Sequence, residues 1–114
     1  MTPRKAKLYL KNMLDSMRKI EEYTRGLSFE KFLARKMVID AVVRNLEIIG
    51  EAAKNVPATV KSRHGNIPWK EMAGMRDKVI HFYFGVDREA VWLAAKERIP
   101  ELKPHIQQVL QELP

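Results

Sequence analysis

The chain has no cysteine. That excludes a disulfide framework and any metal site built on thiolates, and it fits a reducing compartment, so a cytoplasmic location is expected. Glycine is scarce, five residues in 114, and nowhere clusters into a loop that would cradle phosphates with backbone amides. There is no Ser nucleophile elbow, no His-Glu-x-x-His and no carboxylate pair at obvious metal spacing. Neither a metal nor a cofactor is therefore expected. Apolar runs are short, and none approaches the roughly 20 residues that cross a bilayer, so no membrane partner is expected. The opening MTPRKAKLYLKNML is basic but becomes a polar-interrupted helical pattern, without the apolar stretch of a signal peptide. No segment alternates at period two, and no repeat or low-complexity tract occurs.

What remains is an ordinary globular composition. Hydrophobic residues make up 46% of the chain, too many for a disordered segment. Its length suits one domain, residues 1–114, with a single core. A domain of this size buries a modest share of its surface and gains from dimerising. Acidic residues are in deficit, 14 against 21 Lys and Arg, for a formal charge of +7. The excess is uneven: residues 1–25 carry seven basic and three acidic side chains, and residues 57–80 five and two, whereas residues 81–114 carry four and five. This balance suits either a polyanion, whose phosphates supply affinity without specificity, or simple solubility.

Helical periodicity dominates. Leu10, Met13, Leu14, Met17 and Ile20 form one apolar stripe on a helix from about Thr2 to Thr24. Gly26 ends it, and Ser28 is placed to cap the next. A long second helix is expected from Phe29 to Lys54, with Phe32, Leu33, Met37, Val38, Ala41, Val42, Leu46, Ile49, Ala52 and Ala53 facing inward. Asp40, Arg44, Glu47 and Glu51 form a polar stripe on it, either a solvated face laced with ion pairs or the lining of a polar cleft. A short helix or turn spans Pro57 to Arg63. Pro68 then suits the first turn of a helix running through Met72, Met75, Val79 and Ile80 toward Tyr83, with a bend at Gly74. Phe84-Gly85-Val86 is a break, and Asp87 is a good N-cap for a helix carrying Val91, Trp92 and Ala95. Pro100 or Pro104 opens a last helix with Leu102, Ile106, Val109, Leu110 and Leu113. The fold class expected is all-α, an antiparallel bundle of four to five main helices.

One cluster combines a guanidinium, an imidazole, a phenol and a carboxylate: Arg76, Asp77, His81 and Tyr83. On a helix, Asp77 and His81 are four apart and share a face, where a carboxylate orients an imidazole and favours its charged form. Arg76 and His81 are five apart, roughly 140° around an ideal helix. They converge on one group only if the Arg side chain curls round, the helix loosens, or a second subunit completes the site. Arg offers a planar fork for phosphate, and His moves protons near neutrality. RNA brings its own nucleophile, the 2′-hydroxyl, so its cleavage needs a base, an acid and an anion clamp, with no metal. One such His per chain does not easily serve as both acid and base, whereas two paired chains supply two. Taken alone, an Arg and a His at this spacing more often mark a structural pair.

The run Arg-x4-His-x-Tyr from Arg76 to Tyr83 resembles the signature of the HepT-like group in the HEPN superfamily. The segment Arg44-Asn45-Leu46-Glu47-Ile48-Ile49-Gly50-Glu51-Ala52 resembles that group's second-helix segment. Ile67-Pro68-Trp69, Ala73-Gly74-Met75-Arg76, Val86-Asp87 and Val91-Trp92 extend the resemblance over nearly the whole chain. It implies a homodimeric HEPN-like bundle acting as a metal-independent endoribonuclease toxin, with RNA as substrate and a minimal nucleotidyltransferase antitoxin as partner. It makes Arg76 and His81 the catalytic pair, with Asp77 in the polar position after the Arg. It makes Tyr83 the tyrosine that the antitoxin adenylylates, where AMP would place bulk and negative charge beside the phosphate site. The alternative is a non-catalytic, nucleotide-binding helical module that partners a nucleotidyltransferase.

Other candidates read more plainly. His64 and His105 are ordinary polar positions, Trp69 and Trp92 belong to the core rather than to base stacking, and the six methionines fill core space. The basic first helix either steers RNA, binds the antitoxin, or presents a solvated face.

Overall fold

A computed structural model describes residues 3–81 and 85–114, the side chains of Pro3 and His81 excepted. Helix α1 (Pro3–Thr24) forms as its stripe requires: Leu10, Met13, Leu14, Met17 and Ile20 are all buried, joined by Ala6. It stops where the Thr24 hydroxyl donates back to the Ile20 carbonyl at 2.9 Å and Gly26 adopts a φ of 74°, a left-handed conformation that glycine enters at little cost. Ser28 then caps α2 (Phe29–Leu33), accepting from the Lys31 amide at 3.2 Å.

The single helix expected from Phe29 to Lys54 is two. Arg35, at φ −113° and ψ 79°, interrupts the chain between α2 and α3 (Lys36–Asn55). The interruption lets α2 turn Phe32 into the core, its ring 5.0 Å from that of Trp92, with Phe29 5.9 Å from the same indole. Because α3 restarts the helical phase, Met37 lies outside the buried face and is 86% exposed, against the inward placement expected of it. Ile39, Val42, Leu46, Ile49 and Ala53 take the inward face instead and pack chiefly on α1.

After α4 (Ala58–Arg63), Pro68 precedes α5 (Trp69–Ala73). The buried Trp69 donates its indole N–H to the His64 carbonyl at 3.1 Å. The backbone of α5 lies directly against Gly50 of α3: a Cβ there would sit 3.1 Å from the Ala73 carbonyl oxygen and 3.2 Å from that of Met72. Gly74 bends the chain into α6 (Met75–Val79).

Here the expected helix toward Tyr83 gives way. Ile80 is extended, at φ −113° and ψ 122°, and β1 (Ile80–His81) pairs antiparallel with β2 (Gly85–Val86), Ile80 opposite Val86 and His81 opposite Gly85. The Asp87 amide donates to the Val79 carbonyl at 2.7 Å, so an acceptor at the end of α6 is met from beyond the ribbon. Gly85, at φ 76°, supplies the left-handed backbone for the return. The expected break at Gly85-Val86 is thus a short ladder. Asp87 caps α7 (Arg88–Leu93) as expected, its carboxylate accepting from the Ala90 amide at 3.0 Å.

Between Pro100 and its surroundings the chain does not break. Residues Ala94–Arg98 form a π turn, in which the Ile99 amide reaches five residues back to Ala94. It leads straight into α8 (Ile99–Glu112), with Pro100 in the opening turn and Pro104 inside. A proline lacks the amide of the α-helical ladder, and a widened turn absorbs the mismatch while the helix axis continues. The inward stripe survives it: Val91, Ala95, Ile99, Leu102, Ile106 and Val109 are all buried. Lys96 donates to the Thr24 carbonyl at 3.4 Å and Lys103 to Glu21 at 2.6 Å, so α8 leaves the end of α1 and runs back along it. The architecture is all-α around one core.

Candidate active site

Arg76 is presented by the shortest kind of platform. In α6, Met75 and Val79 are buried, and at four residues apart they pin one face of a single turn. Arg76, Asp77 and Lys78 between them are exposed. The Arg76 guanidinium, 55% exposed, lies between two carboxylates: its Nε is 3.4 Å from Glu47 Oε2, and its Nη1 is 3.7 Å from Asp77 Oδ1. Both are ion-pair contacts. Glu47 comes from α3 and is the more sheltered carboxylate, 32% exposed against 85% for Asp77.

The close approach of α5 to Gly50 makes the Glu47 contact reachable. Gly50 lies three residues beyond Glu47, and Arg76 three beyond Ala73, so the near-contact of Gly50 with Ala73 brings the two side chains to one place. A second fixture holds α5 through Glu71. Arg98 Nε donates to Glu71 Oε1 at 2.8 Å, Arg98 Nη2 makes a further short contact with Glu71 Oε2, and Arg98 Nη1 meets Glu101 Oε2 at 3.0 Å. The hydrogen bond from Arg98, reinforced by its charge and that of Lys78, holds the Glu71 carboxyl below the usual carboxylate range against the opposing effect of burial.

Of the four residues singled out in the sequence, the structure joins Arg76 and Asp77. His81 follows in β1, beyond the end of α6, so the one-turn spacing that would set Asp77 and His81 on a common helix face does not exist. The same holds for the 140° separation of Arg76 from His81, which presumes a continuous helix. The side chain of His81 and the whole of Tyr83 lie outside the described residues. Glu47 was visible only as one member of a polar stripe; its pairing with Arg76 needed the fold.

The remaining histidines stand elsewhere. His64 is half-buried with Nε2 3.5 Å from Glu112 Oε2, and His105 is exposed. Trp69 is buried and Trp92 half-buried, as core residues should be. Among the described residues no group of three His, Cys, Asp or Glu side chains is placed to hold a metal ion, and no helix is long and apolar enough to cross a membrane.

An all-helical domain that presents an arginine at the head of an Arg-x4-His-x-Tyr run defines a recognisable class, and comparison with known proteins places it. The chain belongs to the HepT-like ribonuclease family, whose model matches residues 13–109. A protein of Thermococcus cleftensis named "Probable ribonuclease HepT" is 53% identical over 100 residues, covering 88% of this chain and 91% of that protein. A protein of Caldanaerobacter subterraneus subsp. tengcongensis, named as a candidate RNase, is 44% identical over 104 residues, covering 91% and 93% of the two chains. Another so named, from Methanocaldococcus jannaschii, is 42% identical over 113 residues, covering 99% and 93%. No solved structure matches the chain.

Proposed function

We propose that the protein is a metal-independent endoribonuclease, the toxin of a toxin–antitoxin pair. Its active site is built on Arg76 and His81 and completed in a homodimer. The observation that carries this reading is a family match that runs through residues 13–109 with Arg76, His81 and Tyr83 of the family's signature all present.

In the proposed reaction the 2′-hydroxyl of RNA attacks the adjacent phosphorus while its proton passes to a base. The bond from phosphorus to the 5′-oxygen breaks, that oxygen takes a proton from an acid, and a 2′,3′-cyclic phosphate remains. Arg76 binds the phosphate and offsets the charge that grows on its oxygens in the transition state. His81 transfers the protons. Each chain has one such histidine, so His81 of one protomer acts as base and that of its partner as acid. The antitoxin, a minimal nucleotidyltransferase, silences the site by placing AMP on Tyr83, two residues from His81, where the added phosphate repels RNA.

The test is cleavage of RNA by the purified dimer in EDTA. Cleavage should persist, leave 2′,3′-cyclic phosphate ends, and vanish in His81→Ala with the fold intact. Activity lost in EDTA refutes the metal-free route. An active, strictly monomeric protein refutes the shared site. RNA or nucleotide binding with no cleavage by any preparation would favour the non-catalytic module. Co-expression with a nucleotidyltransferase antitoxin should add the mass of AMP to Tyr83, and an unmodified Tyr83 in a silenced protein refutes that switch.

A further inference from the structure

Arg76 is proposed above as the cation that binds the scissile phosphate, and the following inference rests on that reading. Its guanidinium is engaged on two edges by carboxylates of different standing. Glu47 reaches the Nε edge from another helix, is two-thirds sheltered, and stands three residues before Gly50, where the backbone of α5 packs closely on α3. Asp77 reaches Nη1 from the neighbouring position in the chain, at 3.7 Å and 85% exposed. We infer that Glu47 is the positioning residue of Arg76, and that Asp77 is a placeholder whose carboxylate gives way to the phosphate of the substrate.

An arginine side chain has many rotamers, and α6 is a single turn that fixes the backbone but not the guanidinium. A carboxylate on the Nε edge sets the plane of the fork while leaving the Nη groups for a second anion, and Glu47 stands on that edge. Asp77 occupies the Nη side, where a phosphate would bind in bidentate fashion. It is washed by solvent, and among the described residues no second cation lies within ion-pair distance of it. Exchange of its carboxylate for a phosphate therefore costs one loose contact and gains a stronger one. This gives the two acids opposite effects on the reaction. Glu47 raises the turnover of bound RNA by holding Arg76 in line, and Asp77 weakens the binding of RNA by competing for the same charge.

The experiment is steady-state cleavage of a short RNA by the full chain, with an unfolding midpoint recorded for each variant. Glu47→Gln should lower kcat by about 10- to 100-fold, the scale of an ångström-sized misplacement, with KM and the midpoint little changed. Glu47→Asp, which restores the charge at shorter reach, should recover part of the loss. In an Arg76→Lys background, where the Nε edge is gone, Glu47→Gln should have no further effect. Asp77→Asn should lower KM several-fold at unchanged kcat.

A Glu47→Gln enzyme with wild-type kcat overturns the positioning role, as does an equal loss of rate with or without the Arg76 guanidinium. An unchanged or raised KM in Asp77→Asn overturns the placeholder role. Full activity in Arg76→Ala is a different result, because it refutes the assignment of Arg76 on which the inference rests.

Discussion

Gly50→Ala is a sharp test of the packing that builds the site. Two effects of opposite sign meet at this position. Alanine in a helix interior is favoured over glycine by about 1 kcal/mol, because it restricts the unfolded chain. Against this, the new Cβ would lie 3.1 Å from the Ala73 carbonyl oxygen and 3.2 Å from that of Met72. Both are backbone atoms, so no side chain can swing aside. Helix α5 is also tied to the chain beyond α7 by the double contact of Arg98 with Glu71, which limits its movement. Overpacking of this kind costs about 1–3 kcal/mol. The net expectation is destabilisation of about 1 kcal/mol, which lowers Tm by roughly 4 °C in a domain of this size. Gly65→Ala is the control: the nearest atom to a Cβ there is 4.0 Å away and the backbone is not left-handed, so stability should rise by about 0.4–1 kcal/mol. Thermal melts followed by circular dichroism, with urea titrations to fix the m-value, measure both. Equal stabilisation by the two substitutions would show that α5 does not press on α3, and the account of how Glu47 reaches Arg76 would fall with it. RNA cleavage by Gly50→Ala should drop by more than its loss of stability explains, because α6 moves with α5.

Two further outcomes follow from the charges. The Glu71 pKa is depressed in the folded state by the Arg98 hydrogen bond and by the charges of Arg98 and Lys78, so its contribution to stability is present above the unfolded carboxylate pKa, about 4.3. It is lost as pH falls through the lower folded value. Urea titrations of Glu71→Gln between pH 7 and pH 3 should show a flatter acid limb than wild type, and an unchanged limb would mean that the pair does not bias folding. Arg4, Lys7 and Lys11 line one side of α1 together with the exposed Leu8, in a segment that precedes the residues matched by the family model. If they meet RNA, changing all three to alanine should weaken binding and reduce the slope of log K against log salt by about 2, near 0.7 per phosphate contact on a single strand. An unchanged slope would leave this face merely solvated.

The parts of the fold legible in the sequence were those set by local chemistry. The α1 stripe, the Ser28 and Asp87 caps and the bend at Gly74 each depend on residues within one or two turns, and each is present. The interruption at Arg35 was hidden because apolar spacing continues across it; what favours it is the packing of the Phe32 ring, tilted against Trp92, sixty residues away in the chain. Met37 was misplaced for the same reason, since a stripe is read correctly only if the helical phase is unbroken. At Pro100 the expected opening of the last helix is present, but without a break in the chain. Proline marked a boundary, but buried positions from Val91 to Val109 reward a continuous axis, and a π turn accommodates both demands.

The end of α6 changes the reasoning about the site itself. On an unbroken helix, the wide angle between Arg76 and His81 was one motive for sharing the site between two protomers. With Ile80 extended and His81 in a ribbon, that angle has no meaning, and the motive disappears. The case for a shared site now rests on proton accounting alone: strand cleavage moves one proton off the 2′-oxygen and one onto the 5′-oxygen, and each chain offers one histidine in the motif. The same helix end removes the shared helix face on which Asp77 was expected to meet His81, and Asp77 lies against Arg76. An arginine already flanked by two carboxylates must lose one of them to hold a phosphate firmly. The more exposed and loosely held is Asp77, and the one on the sheltered side, fixed by α3, is Glu47.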